Sequence, residues 1–153
     1  MNAFVKRHIR FWINLWPPLL GSGIKVTRWD ADWRAVDVAM NLRFYNSNYV
    51  GTHYGGSLYS MTDPFYMLML IENLGRDYIV WDKSANIRFR RPGRGRVTAE
   101  FRITEQQLND IRQQLEAAEK IEPTFIVEVK DDSGEVVTVV EKIVQVRKKL
   151  PKS

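Results

Sequence analysis

The chain has 153 residues, 44% of them hydrophobic, and a formal net charge of +5; this length predicts a single domain over residues 1–153. The absence of cysteine excludes disulfides, thiolate nucleophiles and cysteine-ligated metals, and it agrees with a reducing, cytoplasmic location. No run of 18 residues is continuously apolar, which argues against a membrane-spanning helix, while the positive charge suits an anionic ligand, a nucleic acid or an acidic membrane surface.

The first predicted element is a helical extension at about residues 1–23, followed by a core at about residues 24–147. Bulky apolar side chains lie in the extension beside basic ones: Phe11, Trp12, Leu15 and Trp16 beside Lys6, Arg7 and Arg10. This pattern is typical of an amphipathic helix at a membrane surface. Peripheral membrane contact and docking on another copy of the chain are both open.

Two strands are predicted next. Residues 24–29 form a short strand before the turn Asp30-Ala31-Asp32. In residues 34–44 every second side chain is apolar: Val36, Val38, Met40, Leu42 and Phe44. The positions between them include Asp37, Asn41 and Arg43. This alternation predicts a strand with one buried face.

Residues 46–63 are polar and turn-forming and lie between two apolar segments. This segment is the least generic part of the chain. From Gly56 to residue 74 the side chains are apolar almost all round, which predicts a helix enclosed by other structure and ended by Gly75. Pro64 interrupts this pattern. Either the helix begins near Gly56 and is kinked at Pro64, or it begins at Pro64 with Asp63 as its N-cap.

The second half of the sequence predicts two hairpins around a surface helix. Residues 78–90 and 97–104 read as strands joined by a turn that contains Pro92 and Gly93. A capping-box pattern begins at Thr104 and precedes an amphipathic helix, whose apolar face is Leu108, Ile111, Leu115 and Ala118. Residues 125–129 and 136–146 then predict the second hairpin.

The order of these elements predicts an α+β fold. One antiparallel sheet wraps around a long central helix, with an N-terminal helix and an extra surface helix. A single sheet around a helix leaves edge strands and one face uncovered. We therefore expect a homodimer or a homotetramer.

Four elements of the polar segment keep a recognisable spacing: Asn48, Gly51, the pair Gly55-Gly56, and Asp63. A later stretch reads Phe89-Arg90-Arg91-Pro92. This pattern resembles the hotdog superfamily, in which a sheet wraps a central helix, and within it the acyl-CoA thioesterases of the phenylacetate-pathway type. Over residues 36–146 the chain is also similar to an uncharacterised hotdog family described as tetrameric acyl-CoA thioesterases.

The resemblance implies hydrolysis of acyl-CoA thioesters to free acid and CoA, with no cofactor besides the CoA of the substrate. It also implies that the acid and the glycine turn face each other across a subunit interface. Asp63 is the expected general base or nucleophile, because aspartate is ionised at neutral pH.

The backbone N–H groups of Gly55 and Gly56 are expected to hold the thioester oxygen, and Asn48 to orient the water or the thioester. Alternatively, the glycine pair is only a tight turn with positive φ.

The sequence departs from the motif at one position. The histidine that precedes the glycine pair is Tyr54 here, and His53 lies one residue earlier, where an extended chain turns its side chain to the opposite face. His53, Tyr54 and Ser57 are expected to contact the substrate, although His53 also suits a turn or an interface. No metal site is predicted, because no carboxylate lies at ligand spacing from His53.

Five arginines occur within nine residues: Arg88, Arg90, Arg91, Arg94 and Arg96. Guanidinium groups bind phosphates in bidentate fashion, so Arg88, Arg90 and Arg91 are expected to bind the phosphates of CoA. A solvated or interfacial basic face is the alternative.

Two other functions compete with hydrolysis. Nucleic-acid binding is disfavoured, because the arginines occupy one short stretch and no binding motif accompanies them. The main alternative is a non-catalytic protein of the same fold that binds an acyl group or acyl-CoA.

Overall fold

The computed structural model describes residues 8–149. The helices of that range are α1 (Ile9–Asn14), α2 (Pro17–Ser22), α3 (Gly55–Ser60), α4 (Phe65–Leu74) and α5 (Glu105–Ala117). Its strands are β1 (Ile24–Trp29), β2 (Ala35–Asn41), β3 (Tyr78–Phe89), β4 (Arg96–Arg102), β5 (Lys120–Ile121), β6 (Thr124–Asp131) and β7 (Val136–Lys148).

The strands form one antiparallel sheet in the order β1-β2-β4-β6-β7-β3, and the short β5 pairs with β7. Apolar side chains of α4 and of the inner face of the sheet make one core, in which Phe65, Met69 and Phe101 are fully buried. The predicted α+β architecture, a sheet around a central helical segment, is confirmed. Within residues 8–149 no helix is long and apolar enough to cross a membrane.

The central helical segment consists of two helices. α3 ends at Ser60, α4 begins at Phe65, and Asp63 and Pro64 lie in the break. Pro64 takes the N-cap position and no side chain caps α4, so the prediction of Asp63 as N-cap is wrong. The alternative prediction was a helix that begins near Gly56 and is kinked at Pro64. Its start is confirmed, but the segment is broken over residues 61–64 and not only kinked, since proline has no N–H for the preceding turn. Gly75 ends α4 with φ +89, as predicted.

The predicted hairpin of residues 78–104 is wrong. β3 pairs with β7, and β4 lies between β2 and β6. After β3 the N–H groups of Arg90 and Arg91 donate to the carbonyl of Val137 at 2.8 and 3.3 Å. These bonds keep the chain on β7 before it crosses to β4. The hairpin predicted for residues 125–146 is confirmed by the direct pairing of β6 with β7.

The predicted strand at residues 34–44 is too long at its end, because Asn46 folds the chain back after Asn41. The Oδ1 of Asn46 accepts from the N–H of Arg43 at 2.7 Å. Its Nδ2 donates to the carbonyls of Asn41 and Ser22 at 2.9 and 3.0 Å. Phe44, expected on the buried face, is 91% exposed.

The capping box of α5 is confirmed. Thr104 accepts through its Oγ1 from the N–H of Gln107 at 3.1 Å, and the N–H of Thr104 donates to the side chain of Gln107 at 2.8 Å. The apolar face of α5 is buried on the domain through Leu108, Ile111 and Leu115.

The described part of the N-terminal extension is two short helices and not one. The second, α2, begins at Pro17, since proline suits the first turn of a helix and interrupts a continuing one. Phe11, Trp12, Leu15 and Trp16 are exposed, whereas Lys6 and Arg7 lie outside the described residues. Docking of this segment on a membrane or on another copy stays a prediction.

The two ends of the sheet differ in their cover. At β1, Asn14 donates to the carbonyl of Val26 at 3.1 Å and accepts from its N–H at 2.7 Å, and Arg10 donates to the carbonyl of Thr27. At β3, which is 12 residues long, no described residue bonds to the outer edge of the backbone in this way. Trp81 is 53% exposed on that strand. Among the described residues the sheet therefore has one covered edge and one open edge.

Candidate active site

A cleft of about 470 Å³ opens where α3 begins. Five of the predicted site residues line it: Asn48, His53, Gly55, Arg90 and Arg91. Leu58 and Phe89 add apolar surface. The fold therefore brings the polar loop, the glycine turn and part of the arginine cluster to one place.

The remaining predicted residues do not line this cleft. Asp63 follows Gly55 by eight residues and lies in the break beyond the end of α3. Tyr54 is 58% exposed, and Ser57 is buried in the first turn of α3. Arg88 lies in a second groove that Ile126 and Glu141 also line, and Arg90 lines both this groove and the cleft.

Glycine at positions 55 and 56 is explained by aromatic neighbours. Both residues have helical backbone angles, so the prediction of a positive-φ turn is wrong. A Cβ on Gly55 would lie 2.9 Å from Cζ of Phe89, and a Cβ on Gly56 would lie 2.3 Å from Cε1 of Tyr54. Within residues 8–149 neither glycine donates its N–H to a hydrogen bond. The first turn of α3 thus offers two free donors.

Asn48 fixes the loop that leads into α3. Its Oδ1 accepts from the N–H groups of Val50 and Thr52 at 3.2 and 3.0 Å. Its Nδ2 donates to Oγ1 of Thr52 at 2.8 Å and to the carbonyl of His53 at 3.3 Å. These bonds use the full capacity of the amide. The predicted role of Asn48 toward water or thioester stays a prediction.

His53 is buried, with only 2% of its surface exposed. Burial lowers the pKa of His53, and the bond to Gly95 opposes this only in part. The ring is therefore neutral at pH 7. Its Nε2 lies 3.0 Å from the carbonyl of Gly95, which assigns the proton to Nε2. Within the described part of the chain, Nδ1 has no hydrogen-bond partner, so it is an acceptor without a donor.

The arginine cluster is divided by the fold. Two of its members make ion pairs: Arg91 with Asp131 and Glu135, and Arg96 with Asp132. The other three have no ion pair among residues 8–149: Arg88, Arg90 and Arg94. Arg90 is therefore the exposed guanidinium of the cleft that remains available to an anionic group.

Asp63 belongs to a second group of ionisable side chains, at the break between α3 and α4. The Nζ of Lys142 lies 3.1 Å from Oδ1 of Asp63 and 2.7 Å from Oδ2 of Asp82, and it also donates to the carbonyl of Asp63. The side chain of Lys142 is fully buried, whereas that of Asp63 is 45% exposed. The ring centroid of Tyr59 is 5.9 Å from Nζ.

Burial dominates the electrostatics of this second group. Burial, and next the charge of Asp63, raise the pKa of Tyr59 to about 12, so the phenol keeps its proton. Burial also raises the pKa of Asp82, although the ion pair with Lys142 acts in the opposite direction. Oδ1 of Asp82 is buried and has no partner in residues 8–149.

Sequence reasoning missed Lys142 and Asp82. A signal for Lys142 does exist, because it occupies one row with four other alternate residues of β7: Thr138, Val140, Val144 and Val146. Lysine is rarely buried without a partner, so a lysine in such a row indicates an ion pair or a site. No comparable signal marks Asp82, which lies beside an irregularity in the pairing of β3 with β7. Within the described range, no group of three or more His, Asp or Glu side chains is arranged to hold a metal ion.

Solved structures resemble this one along nearly the whole chain. A protein of unknown function from Pseudomonas aeruginosa, described as a probable thioesterase, has a TM-score of 0.79 at 20% identity, with 97% of each chain covered. A protein of unknown function from Chlorobaculum tepidum has a TM-score of 0.73 at 16% identity, with 95% of each covered. For a thioesterase from Haemophilus influenzae the values are 0.68 and 13%, with 98% of this chain and 95% of the other covered.

These similarities establish the hotdog fold that the sequence predicted. No curated protein matches the chain. A family model described as a domain of unknown function, DUF4442, matches residues 6–146. The chain therefore belongs to the DUF4442 family.

Proposed function

We propose that this protein hydrolyses acyl-CoA thioesters to the free acid and CoA. The observation that carries the proposal is the cleft at the start of α3, which Gly55 and Arg90 line, with Gly56 next in the same helical turn. Among residues 8–149 the N–H groups of both glycines have no hydrogen-bond partner and Arg90 has no ion pair. Donors for a developing oxyanion and a cation for a phosphate are the two features that an acyl-CoA requires. The likeness of the fold to proteins described as thioesterases supports the same chemistry.

In the proposed reaction, Gly55 and Gly56 bind the thioester oxygen as it becomes negative, a contribution of about 10²–10³ in rate per donor. Asp63 removes a proton from a water molecule, and the oxygen of that water forms the new C–O bond. The C–S bond then breaks, and the proton passes to the CoA thiolate. In the nucleophilic variant a carboxylate oxygen of Asp63 attacks the carbonyl carbon, and the C–S bond breaks to release the CoA thiolate. Water then hydrolyses the anhydride to the free acid and the carboxylate of Asp63, and the proton released goes to the thiolate.

A single copy does not bring both halves of this site together, because Asp63 lies in the break after α3 and does not line the cleft that Gly55 lines. We therefore place the site between two copies of the chain. The carboxylate of Asp63 in one copy then faces the glycine turn of the other. The open edge of β3 supports such pairing, since uncovered edge strands readily add another strand.

Substrate contacts follow from the lining of the cleft. Arg90 is the proposed partner of a CoA phosphate, with Arg91 at its side. His53, Tyr54 and Ser57 lie around the glycine turn and are proposed to border the acyl-thioester. Arg88 does not line the cleft, but it shares a second groove with Arg90, so we propose that it contacts the same phosphate from that side.

Two observations favour a second function, the non-catalytic binding of an acyl group or acyl-CoA. Tyr54 stands where the motif has a histidine. The amide of Asn48 is fully occupied within its own loop, which leaves it no free group for a water molecule.

The test is release of free CoA from a panel of acyl-CoAs by wild type, Asp63→Asn and Asp77→Asn. Loss of a general base costs about 10²–10⁴ in rate, so we expect a reduction of that size for Asp63→Asn. Asp77 is exposed, and Asp77→Asn is expected to match wild type. Unchanged release by Asp63→Asn would remove Asp63 from the mechanism. Acyl-CoA binding without release by wild type would favour the non-catalytic function.

A further inference from the structure

Lys142 occupies a position where the pattern of β7 calls for an apolar residue. The row formed by every second residue of β7 is buried completely: Thr138, Val140, Lys142, Val144 and Val146. The neighbours of Lys142 on the adjacent strands are Ala85 on β3 and Phe125 on β6. Burial of an ammonium group carries a desolvation penalty of several kcal/mol. A lysine in such a row must have partners for its buried charge.

Asp82 lies beside Lys142 because of a bulge in β3. On one side of the bulge in β3, Ala85 and Ile87 pair with Lys142 and Val140; on the other side, Asp82 pairs with Val144. One extra residue, Lys83, lies between the two registers. In a regular strand Asp82 and Ala85 would point to opposite faces. The bulge brings both to the inner face, because it shifts the alternation by one residue.

We propose that Lys142 is a positioning residue of the thioesterase site, and that its ammonium, anchored by Asp82, fixes the carboxylate of Asp63. This inference rests on the proposed function of Asp63.

The contacts of Lys142 favour positioning of Asp63 in particular. Lys142 bonds to both the side chain and the carbonyl of Asp63, so it fixes the residue in the break and the direction of its carboxylate. The other bond of Nζ goes to Asp82, whose side chain is only 21% exposed. Asp63 remains 45% exposed. Its carboxylate is thus held from the inside and open to the outside, as a base that must meet water requires.

Charge balance alone is the competing explanation of Lys142. One ammonium faces two carboxyl groups here, and Tyr59 adds no charge because its phenol keeps its proton. Oδ1 of Asp82 is also buried without a partner in the described residues. A cluster selected only for stability gains little from such an arrangement, since apolar residues of similar volume often do as well.

The two explanations differ for the double substitution of Lys142→Met with Asp82→Asn. This variant removes one charge of each sign and leaves Asp63 in contact with solvent. If Lys142 only balances charge, the double variant recovers both the fold and the hydrolysis that Lys142→Met loses. If Lys142 positions Asp63, the fold recovers and hydrolysis does not. A misplacement of about 1 Å can cost about 10² in rate, which sets the expected loss in kcat.

The experiment measures kcat and KM for acyl-CoA hydrolysis, with thermal unfolding, for wild type, Lys142→Met, the double variant and Thr138→Val. Thr138 lies in the same buried row and has no hydrogen-bond partner for its hydroxyl among described residues, so it is the matched control. We expect the double variant to melt near wild type, with kcat about 10²-fold lower and KM changed less than kcat. Thr138→Val is expected to retain wild-type kcat.

Three outcomes would overturn the inference. Near-wild-type kcat in the double variant would assign Lys142 to charge balance alone. A double variant that does not fold would assign it a structural role beyond charge. Wild type without CoA release on any acyl-CoA would reject the proposed function itself, and the inference with it, whereas the first two outcomes leave that function standing.

Discussion

At the scale of single residues, His53 shows how burial decides chemistry. The ring is enclosed, donates from Nε2 to the carbonyl of Gly95, and leaves Nδ1 without a partner in the described chain. Burial lowers the pKa of His53. A second proton would therefore place a positive charge where no described carboxylate pairs with it, and the native state resists protonation.

This resistance predicts a loss of stability in mild acid. The unfolded chain binds the proton near the ordinary histidine pKa of about 6.5, whereas native His53 binds it only at lower pH. The contribution of His53 to the free energy of unfolding is therefore fully present above about pH 6.5. It declines as the pH falls below that value, by at most about 1.4 kcal/mol per pH unit.

Urea unfolding between about pH 5 and 7.5 measures this effect. We expect His53→Gln to remove this part of the pH dependence, and exposed His8→Gln to keep it. An unchanged slope in His53→Gln would assign the acid sensitivity to other groups.

At the scale of elements, α2 and α3 each contain a glycine, and the surroundings of these two glycines differ. Gly21 lies in α2 with nothing within 4 Å of a Cβ, whereas a Cβ on Gly55 in α3 would lie 2.9 Å from the ring of Phe89. Neither residue has positive φ. The two positions therefore separate the effect of helix propensity from the effect of crowding at the cleft.

We expect Gly21→Ala to raise the free energy of unfolding by about 0.5–1 kcal/mol, because alanine stabilises a helix relative to glycine. Gly55→Ala is expected to gain less, since the ring of Phe89 must shift, and that shift should lower CoA release. Thermal melts and the hydrolysis assay test both variants. Equal stabilisation with full activity in Gly55→Ala would show that the ring moves without consequence for the site.

The alternation of apolar residues was sufficient to predict most elements of the sheet. β1, the hairpin of β6 with β7, and the capping box at Thr104 are local patterns, and all were confirmed. The partners of β3 and β4 were not predictable in this way. After β3 the N–H groups of Arg90 and Arg91 donate to the carbonyl of Val137, which is distant in sequence, so the stretch that resembles a turn does not form a hairpin.

The candidate site was predictable in part, for the same physical reason. The grouping of Asn48, His53, Gly55 and Arg90 follows from one loop and the strand end beside it. Lys142 lies far along the sequence, and only its place in a row of valines indicated it. Asp82 depends on a bulge, which changes the face of a side chain without any mark in the residue pattern.

At the scale of the whole molecule, we expect the edges of the sheet to govern assembly. Asn14 and Arg10 cover β1, while β3 carries exposed Trp81 along an open edge. The proposed site also needs a second copy. Both arguments predict an association through β3.

Trp81→Lys tests this association, because edge lysine disfavours the addition of a strand. We expect wild type to be a dimer or larger in light scattering at micromolar concentration, and Trp81→Lys to shift toward monomer with a parallel loss of CoA release. Ile126→Lys is the control, since Ile126 is 62% exposed on an inner strand of the sheet. Monomeric wild type would contradict both the assembly and the shared site.

The cover that α1 places on β1 also limits how far such an assembly can grow. Among residues 8–149, β3 is the one edge without such cover, and one pairing event uses it. We therefore expect strand addition to stop at two chains and to give a closed pair instead of a filament. A tetramer must then join two such pairs through their faces. We therefore expect Asn14, through its two bonds to Val26, to limit the addition of further strands at β1.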